Sequence, residues 1–463
     1  MTDDRPRVDI TKISDELTRR ELLRKAATGA IVLVYGSVGA RSAVAGVPRF
    51  RHKELKETLR ILQWSHFVPA FDRWFDNTYV KVWGRKNDTE VIVDHISQAE
   101  LSARVAAEAA AQSGHDMVAT LAPLPQYEDQ VINHKEIVET VSKKRGKMKS
   151  VAYRSTYNPK TKKYFGFPDN YAPDPINYRT DFWGEVGLKP TTWDNVLKAA
   201  PRLRSMGHPI GIGMSNEIDS NMALMSLMMC FGGFIQNQKH KVALNSKGTR
   251  RALTFARELF RRGMSNEIFA WTASSNNVGM TSGRLSLAMN AISITRTAEG
   301  QNPDLAKKIS LLPIPKGPNG RLGLEHVMHT YMVWKFARNK KGATKFLADL
   351  ELTYIGAFEN SRFYNFPSFP TTVTNIDRRL ERDPVAIPKG KYKVLKTISD
   401  KYTYNVGYPG FTNAAIGEIF DTYLIPQMFA EVARGDKSPA DAARDYHRRF
   451  ETIYAKWRRR GKI

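Results

Sequence analysis

The chain has 463 residues, 42% hydrophobic and 25% charged, a balance that excludes a disordered protein and leaves room for two or three ordinary domains. Its formal net charge is +25, yet the basic residues are scattered and the densest group, Trp457-Arg458-Arg459-Arg460-Gly461-Lys462, reads as a solvated helix end, so no nucleic-acid partner is expected. The single cysteine, Cys230, sits in an apolar run, which excludes an internal disulfide and predicts a buried thiol.

The first feature in chain order is Thr18-Arg19-Arg20-Glu21-Leu22-Leu23-Arg24-Lys25, a twin arginine ahead of an apolar run over 26–44. The run ends in Ala43-Val44-Ala45, with small residues where a signal peptidase reads them. Basic start, apolar middle and small exit predict a twin-arginine signal peptide over residues 1–45, removed on export to the periplasm. Arg41 inside the run disfavours a membrane span, and no later segment reaches about 20 consecutive apolar residues. No cysteine lies near the cleavage site, so no lipid anchor is expected either.

Strands are predicted over 59–64, 90–95 and 117–121, alternating with helices over 70–82 and 101–112. Such alternation argues for α/β units around a largely parallel sheet. Residues 164–168 read as a strand leading out of this unit. Thr192 is a good N-cap for a helix running to Leu203, and Trp183 and Trp193 sit at packing positions on helices. Further strands are predicted over 210–213, 285–292, from 311, and over 331–336, with helices over 222–229, 246–262 and 341–352. Ser438 with Pro439 at the first position starts a terminal helix to Trp457.

The stretch Tyr178-Arg179-Thr180-Asp181-Phe182-Trp183-Gly184-Glu185-Val186-Gly187-Leu188, followed by Lys189-Pro190-Thr191-Thr192-Trp193-Asp194, resembles the extracellular solute-binding proteins of ABC importers, the maltose-binding-protein-like class. Ser282-Gly283-Arg284 before Leu285-Ser286-Leu287-Ala288-Met289 resembles that family's small-residue turn and return strand, and the Pro-Ile-Pro-Lys-Gly-Pro loop at 313–318 fits as well. The order of these elements, from about residue 59 to 457, carries the resemblance. One departure is Leu324-Glu325-His326-Val327-Met328-His329, where the family usually has glycines.

The resemblance implies a two-lobed α/β fold of the type II periplasmic-binding-protein kind, with hinge-linked lobes and a ligand cleft between them. It places lobe 1 at 58–163 plus 291–352 and lobe 2 at 164–290 plus 353–463. The chain would cross near 164–168, return near 288–292 and cross again after 352. A monomer that hands its solute to a membrane permease, without cofactor, metal or catalysis, is the implied function.

Sugar recognition needs aromatic surface for ring faces and dense hydrogen bonding for hydroxyls. Trp64, Ser65, His66 and Phe67, at the end of the first strand, offer both and are expected at the cleft. Asn170, Tyr171 and Asp174 are expected to line it from the second lobe, with Tyr178 packed behind them. Ser215 and Asn216 (with Glu217), Asn290 and Ser293 offer polar partners, and Tyr364 and Tyr408 stand in aromatic loops that suit a cleft rim or hinge packing. Arg296 reads as a surface arginine, with a carboxylate or phosphate contact as the alternative. His326 and His329 share a face only on a helix, and their segment reads as loop entering strand, so a ligand hydrogen bond from either histidine is preferred to zinc, with His329 counted among the binding residues. Two other readings stay open: an exported binder of an anionic sugar, and an exported carbohydrate-active hydrolase.

Overall fold

The computed structural model describes residues 55–463, and the predicted signal peptide lies outside the described residues. Two sheets organise the chain. In the larger, β1 (Glu57–Trp64) pairs in parallel with β2 (Thr89–Ile96) and β3 (Met117–Thr120). The β1 core positions Leu59, Ile61, Leu62 and Trp64 are all buried. Helix α1 (Pro69–Trp74) starts on Pro69, whose fixed φ suits a first turn, and continues through a π-helical turn at Phe75–Tyr79. Helix α2 (Gln98–Ala111) buries Leu101, Val105 and Ala109, spaced by a helical turn, against the sheet.

After two further helices and a short hairpin the chain forms β4 (Phe167–Pro173), every residue of which is buried, and then leaves this sheet. Strand β5 (Ile176–Arg179) opens the smaller sheet. Helix α3 (Trp193–Ser205) follows, and Thr192 Oγ1 accepts from Asn195 N at 3.1 Å, the cap that the sequence predicts. Replacing Thr192 with alanine is expected to lower stability by about 1 kcal/mol, read as a lower denaturant midpoint with unchanged slope. Then come β6 (Ile210–Gly211), α4 (Ile218–Cys230), α5 (Lys247–Gly263), α6 (Ser275–Thr281) and β7 (Leu287–Met289). Helix α4 is buried at every position, so it carries almost no amphipathic signal and reads in the sequence simply as an apolar run. Helix α7 (Ser293–Gln301) and β8 (Ile309–Leu312) complete this half, with sheet order β8-β5-β7-β6.

Strand β9 (Gly323–Val333) returns the chain to the larger sheet, lying antiparallel between β3 (Tyr331 opposite Ala119) and β4 (His329 opposite Asn170). Helix α8 (Lys340–Leu352) covers that sheet, and β10 (Phe366–Pro367) adds to its edge on β4. The order is β10-β4-β9-β3-β1-β2, with a short β11 (Thr403–Tyr404) beside the start of β9. Helices α9 (Ala414–Asp421), α10 (Leu424–Arg434) and α11 (Pro439–Arg459) end the chain, and Ser438 Oγ accepts from Asp441 N at 3.1 Å to cap α11.

Three expectations need correction. The sheets are mixed rather than largely parallel, because β9 runs antiparallel to both neighbours and β5 to both of its own. The crossings also lie elsewhere. Residues 167–173 still belong to the larger sheet, so the chain leaves it at Asp174–Pro175, and β7, expected at the return, is internal to the smaller sheet. The return is instead the loop between β8 and β9. Finally, β9 starts eight residues before the predicted strand at 331. Buried on both faces, it lacks the alternation that reveals a half-exposed strand.

Candidate functional site

The end of β1 and the start of α1 build one wall of a cleft between the sheets. Asp72, in the first turn of α1, accepts from His66 N at 2.8 Å and fixes the intervening loop. His66 Nδ1 accepts from Val68 N at 2.9 Å, while Nε2 donates to Asn365 Oδ1 at 2.9 Å. Burial holds this ring neutral and pushes its pKa down to about 3. Trp64 lies beneath, stacked on His66 with ring centroids 4.9 Å apart and 5.1 Å from Phe67. Its indole is buried and its Nε1 has no hydrogen-bond partner among the described residues. Phe67 alone of this group turns a half-buried ring into the cleft, while Ser65 is exposed.

The opposite wall is polar. Glu217 caps α4, accepting from Asp219 N at 2.7 Å and Ser220 N at 2.6 Å. Burial, and then the charge of Asp219, push its carboxyl up to about 8. Asp219, in the first turn of α4, accepts through Oδ2 from the side-chain amides of Asn276 and Asn290. Asn290, just past β7, also donates to Asn276 Oδ1 at 2.9 Å and Asn277 Oδ1 at 2.8 Å. Asn277 in turn donates to Ser293 Oγ at 3.2 Å.

His326 on β9 sits between two carboxylates, its Nε2 3.2 Å from Asp219 Oδ1 and its Nδ1 3.2 Å from Asp174 Oδ1. Burial pulls its pKa down, but the charges of Asp219 and Asp174 outweigh that and raise it to about 10, so the ring is a cation at neutral pH. It joins the crossing at Asp174, the strand β9 and the start of α4 in one buried ion cluster. Its neighbour Glu325 is also fully buried. Burial raises that carboxyl to about 8, although Oε1 accepts from Ser155 Oγ at 2.9 Å and Val406 N at 3.1 Å.

Some of these groups line a cavity of about 270 Å³, close to the lower end of the range of about 300–1,000 Å³ usual for small-molecule sites. Phe67 and Gln98 line it from the larger-sheet side, and Asp219, Asn277, Asn290 and Ser293 line it from the other. His326 closes its floor. Phe67 also borders a second cavity of about 570 Å³, flanked by Arg73, Arg296 and Arg362. Arg296, read from the sequence as a surface residue, is buried there, paired with Glu299 at 2.8 Å and Asp383 at 2.7 Å.

Of the residues singled out in the sequence, Phe67, Asn290, Ser293 and His326 line the first cavity, and Asp174 stands one residue behind it through His326. Trp64, His66 and Tyr364 form the layer under Phe67, with Tyr364 edge-on to His66 at 5.2 Å. The remaining ones are engaged elsewhere. Asn170 donates to Asp169, which also holds His329 Nδ1 at 2.6 Å, and Tyr171 shares a 2.6 Å hydrogen bond with Ser399. Ser215 donates to Trp271 O at 2.7 Å, the exposed Asn216 meets Gln427, and Tyr408 packs on Tyr404 with centroids 4.4 Å apart.

His326 and His329 both lie in β9, where the pairing with β4 is irregular, and they take different partners, Asp174 with Asp219 for the first and Asp169 for the second; no group of three such side chains placed to hold a metal ion occurs among the described residues. Sequence reasoning stopped at Glu217 and missed Asp219, two residues on. It also passed over Asn276 and Asn277, whose only signal is a Ser-Ser-Asn-Asn run between a tryptophan and a glycine.

A family model described as bacterial extracellular solute-binding protein matches residues 65–349. A curated relative from Brucella abortus strain 2308, named only for binding, is 22% identical over 190 residues, or 40% of this chain and 46% of that one. The match thus spans less than half of that relative. An ABC transporter solute-binding protein from Thermotoga lettingae TMO, bound with α-D-tagatose, superposes with a TM-score of 0.70 at 16% identity, over 86% of this chain and 100% of that one. A maltose-bound protein from T. maritima gives 0.69 at 14% identity, over 86% and 99%. At such identities the likeness establishes the architecture, a two-lobed α/β binding-protein fold. With its family model matched over more than half of its length, the chain belongs to the bacterial extracellular solute-binding proteins.

Proposed function

We propose that this protein captures a net-neutral, hydroxyl-rich solute, a sugar or polyol, between its lobes and presents it to the permease of an ABC importer. The observation that carries this reading is the amide and hydroxyl cluster of Asn277, Asn290 and Ser293 beside Asp219, held from behind by Asn276 and facing the half-buried ring of Phe67 across the cavity. Amides and carboxylates pair with sugar hydroxyls, and an aromatic ring covers the apolar face of a pyranose or a polyol chain.

The cavity also bears on the anionic alternative. Despite the net charge of +25, the charged groups at its wall are Asp219 and, behind it, Asp174 against the single cation His326. A phosphate or carboxylate would meet a net negative wall. Asp219 and Asp174 are both engaged by His326, and Asp219 also by two amides, which suits holding a ligand rather than proton transfer to it. The reading therefore contains no chemical step. Lobe boundaries follow the strands: the larger lobe ends at Asp174, resumes at β9 and includes α8, and the smaller lobe spans β5 to β8 with α10 and α11. Closure about Asp174 and β9 traps the solute. Export through the twin-arginine pathway into the periplasm, as a monomer, completes the proposal.

A thermal-shift screen against monosaccharides, disaccharides, polyols and sugar phosphates tests it, because a ligand of the folded state raises the melting temperature by mass action. A neutral sugar or polyol is expected to give the shift. Phe67→Ala should weaken that ligand about tenfold, the loss of one aromatic contact of about 1–1.5 kcal/mol, with little change in ligand-free melting. A shift given only by sugar phosphates, or one untouched by Phe67→Ala, would refute this reading.

A further inference from the structure

We propose that the back of the smaller lobe, the face built by α5 with α3, is a docking surface for an anionic lipid bilayer. Part of the positive charge of the chain is concentrated there. Helix α5 carries six basic residues and one acidic one, Glu258, which is already opposite Arg262 at 3.7 Å. Lys247, Arg250, Arg251, Arg257 and Arg261 have no carboxylate partner among the described residues. Arg250 reaches only the side-chain oxygen of Asn245, at 2.8 Å. Lys247 and Arg250 also occupy the first turn of the helix, which holds no acid, so they face the positive end of the helix dipole. Negative charge arriving from outside would relieve both repulsions.

The shape fits the same partner. Lys247, Arg250 and Arg251 rim a shallow groove of about 690 Å³ whose floor is apolar, with Leu197 of α3 and Pro318 on its sides. Phe231 and Phe255, ring centroids 4.8 Å apart, lie half-buried in that floor and supply the aromatic edge favoured at the water–headgroup boundary. No buried polar side chain converges on the groove, as a site for one small anion would require. The cations instead run along a 17-residue helix, about 25 Å, a spacing suited to a sheet of headgroups. No helix among the described residues is long and apolar enough to cross a membrane, so contact of this kind would be peripheral. The groove and the solute cavity lie at opposite ends of α4, about 20 Å apart, which leaves the cleft free while the back is docked.

The test is co-sedimentation of the full chain with vesicles of phosphatidylglycerol mixed with phosphatidylcholine, beside vesicles of phosphatidylcholine alone. Binding to the anionic vesicles only is expected, and its loss in about 1 M salt, where the Debye length is about 3 Å. Lys247→Glu with Arg250→Glu and Arg251→Glu should weaken it roughly 100-fold. The neutral set Lys247→Gln, Arg250→Gln and Arg251→Gln should give an intermediate loss, and unchanged melting of either variant shows that the fold is intact. No binding to anionic vesicles, equal binding by the variants, or binding to soluble polyglutamate in place of vesicles would each overturn the proposal.

Discussion

Replacing His326 with alanine is expected to destabilise the protein by about 3–5 kcal/mol at neutral pH, the penalty for removing one partner from a buried ion cluster. Among the described residues the ring is the only cation paired with both Asp174 and Asp219, and Asp174 is buried away from water. Its pKa in the folded protein, about 10, lies above the unfolded value of about 6.5. A raised basic group contributes stability that is complete below the unfolded value and lost as pH rises through the folded one. The wild type should therefore lose about 1.4 kcal/mol per pH unit from this group between about pH 6.5 and about pH 10. Glu217 and Glu325, raised to about 8, contribute the same sign of slope, but only until they ionise. Burial lowers Lys391 to about 8, which adds a slope of opposite sign above that pH, so the share of His326 is a difference between two proteins. Denaturant unfolding of the wild type and of His326→Gln from about pH 8 to about pH 10 reads it: the wild type should fall more steeply, by about 1.4 kcal/mol per pH unit. Equal slopes would mean that the imidazole is neutral in the fold.

Converting Asn290 to aspartate should abolish solute binding, with at least about a 100-fold loss of affinity. The side-chain amide of Asn290 donates to three oxygens, those of Asp219, Asn276 and Asn277. A carboxylate in its place faces three acceptors with no proton to offer and repels Asp219 at close range. Leaving such buried groups unpaired costs about 1–3 kcal/mol each, and the amides that should meet the solute would turn away to compensate. The measurement is the solute-induced thermal shift together with the ligand-free melting temperature. Loss of the shift with a fold that still melts cooperatively is the expected result. A shift of unaltered size in Asn290→Asp would remove this cluster from the binding site.

The two substitutions meet at Asp219: His326 ties it to the crossing segment and β9, whereas Asn290 ties it to the amide wall proposed to touch the solute. A solute-binding protein depends on both, because closure delivers the amide wall to the opposite lobe only if the crossing strands keep their places.

The α/β alternation, the capped helices at Thr192 and Ser438, the buried Cys230 and the family resemblance were all legible in the residue order, since each rests on local chemistry or on spacing along the chain. The position of Phe67 beside the cavity followed likewise from its place at the end of the first strand. Tertiary structure decided the rest. It paired β9 antiparallel between β3 and β4, and it brought Asp219, Asn276, Asn290 and His326 together from four separate segments. Whether a polar residue meets solute or another side chain depends on partners more than a hundred positions away, as Tyr171 shows by finding Ser399. No periodicity encodes such a partner, because the hydrogen bond forms only once the chain has folded and brought the two segments together.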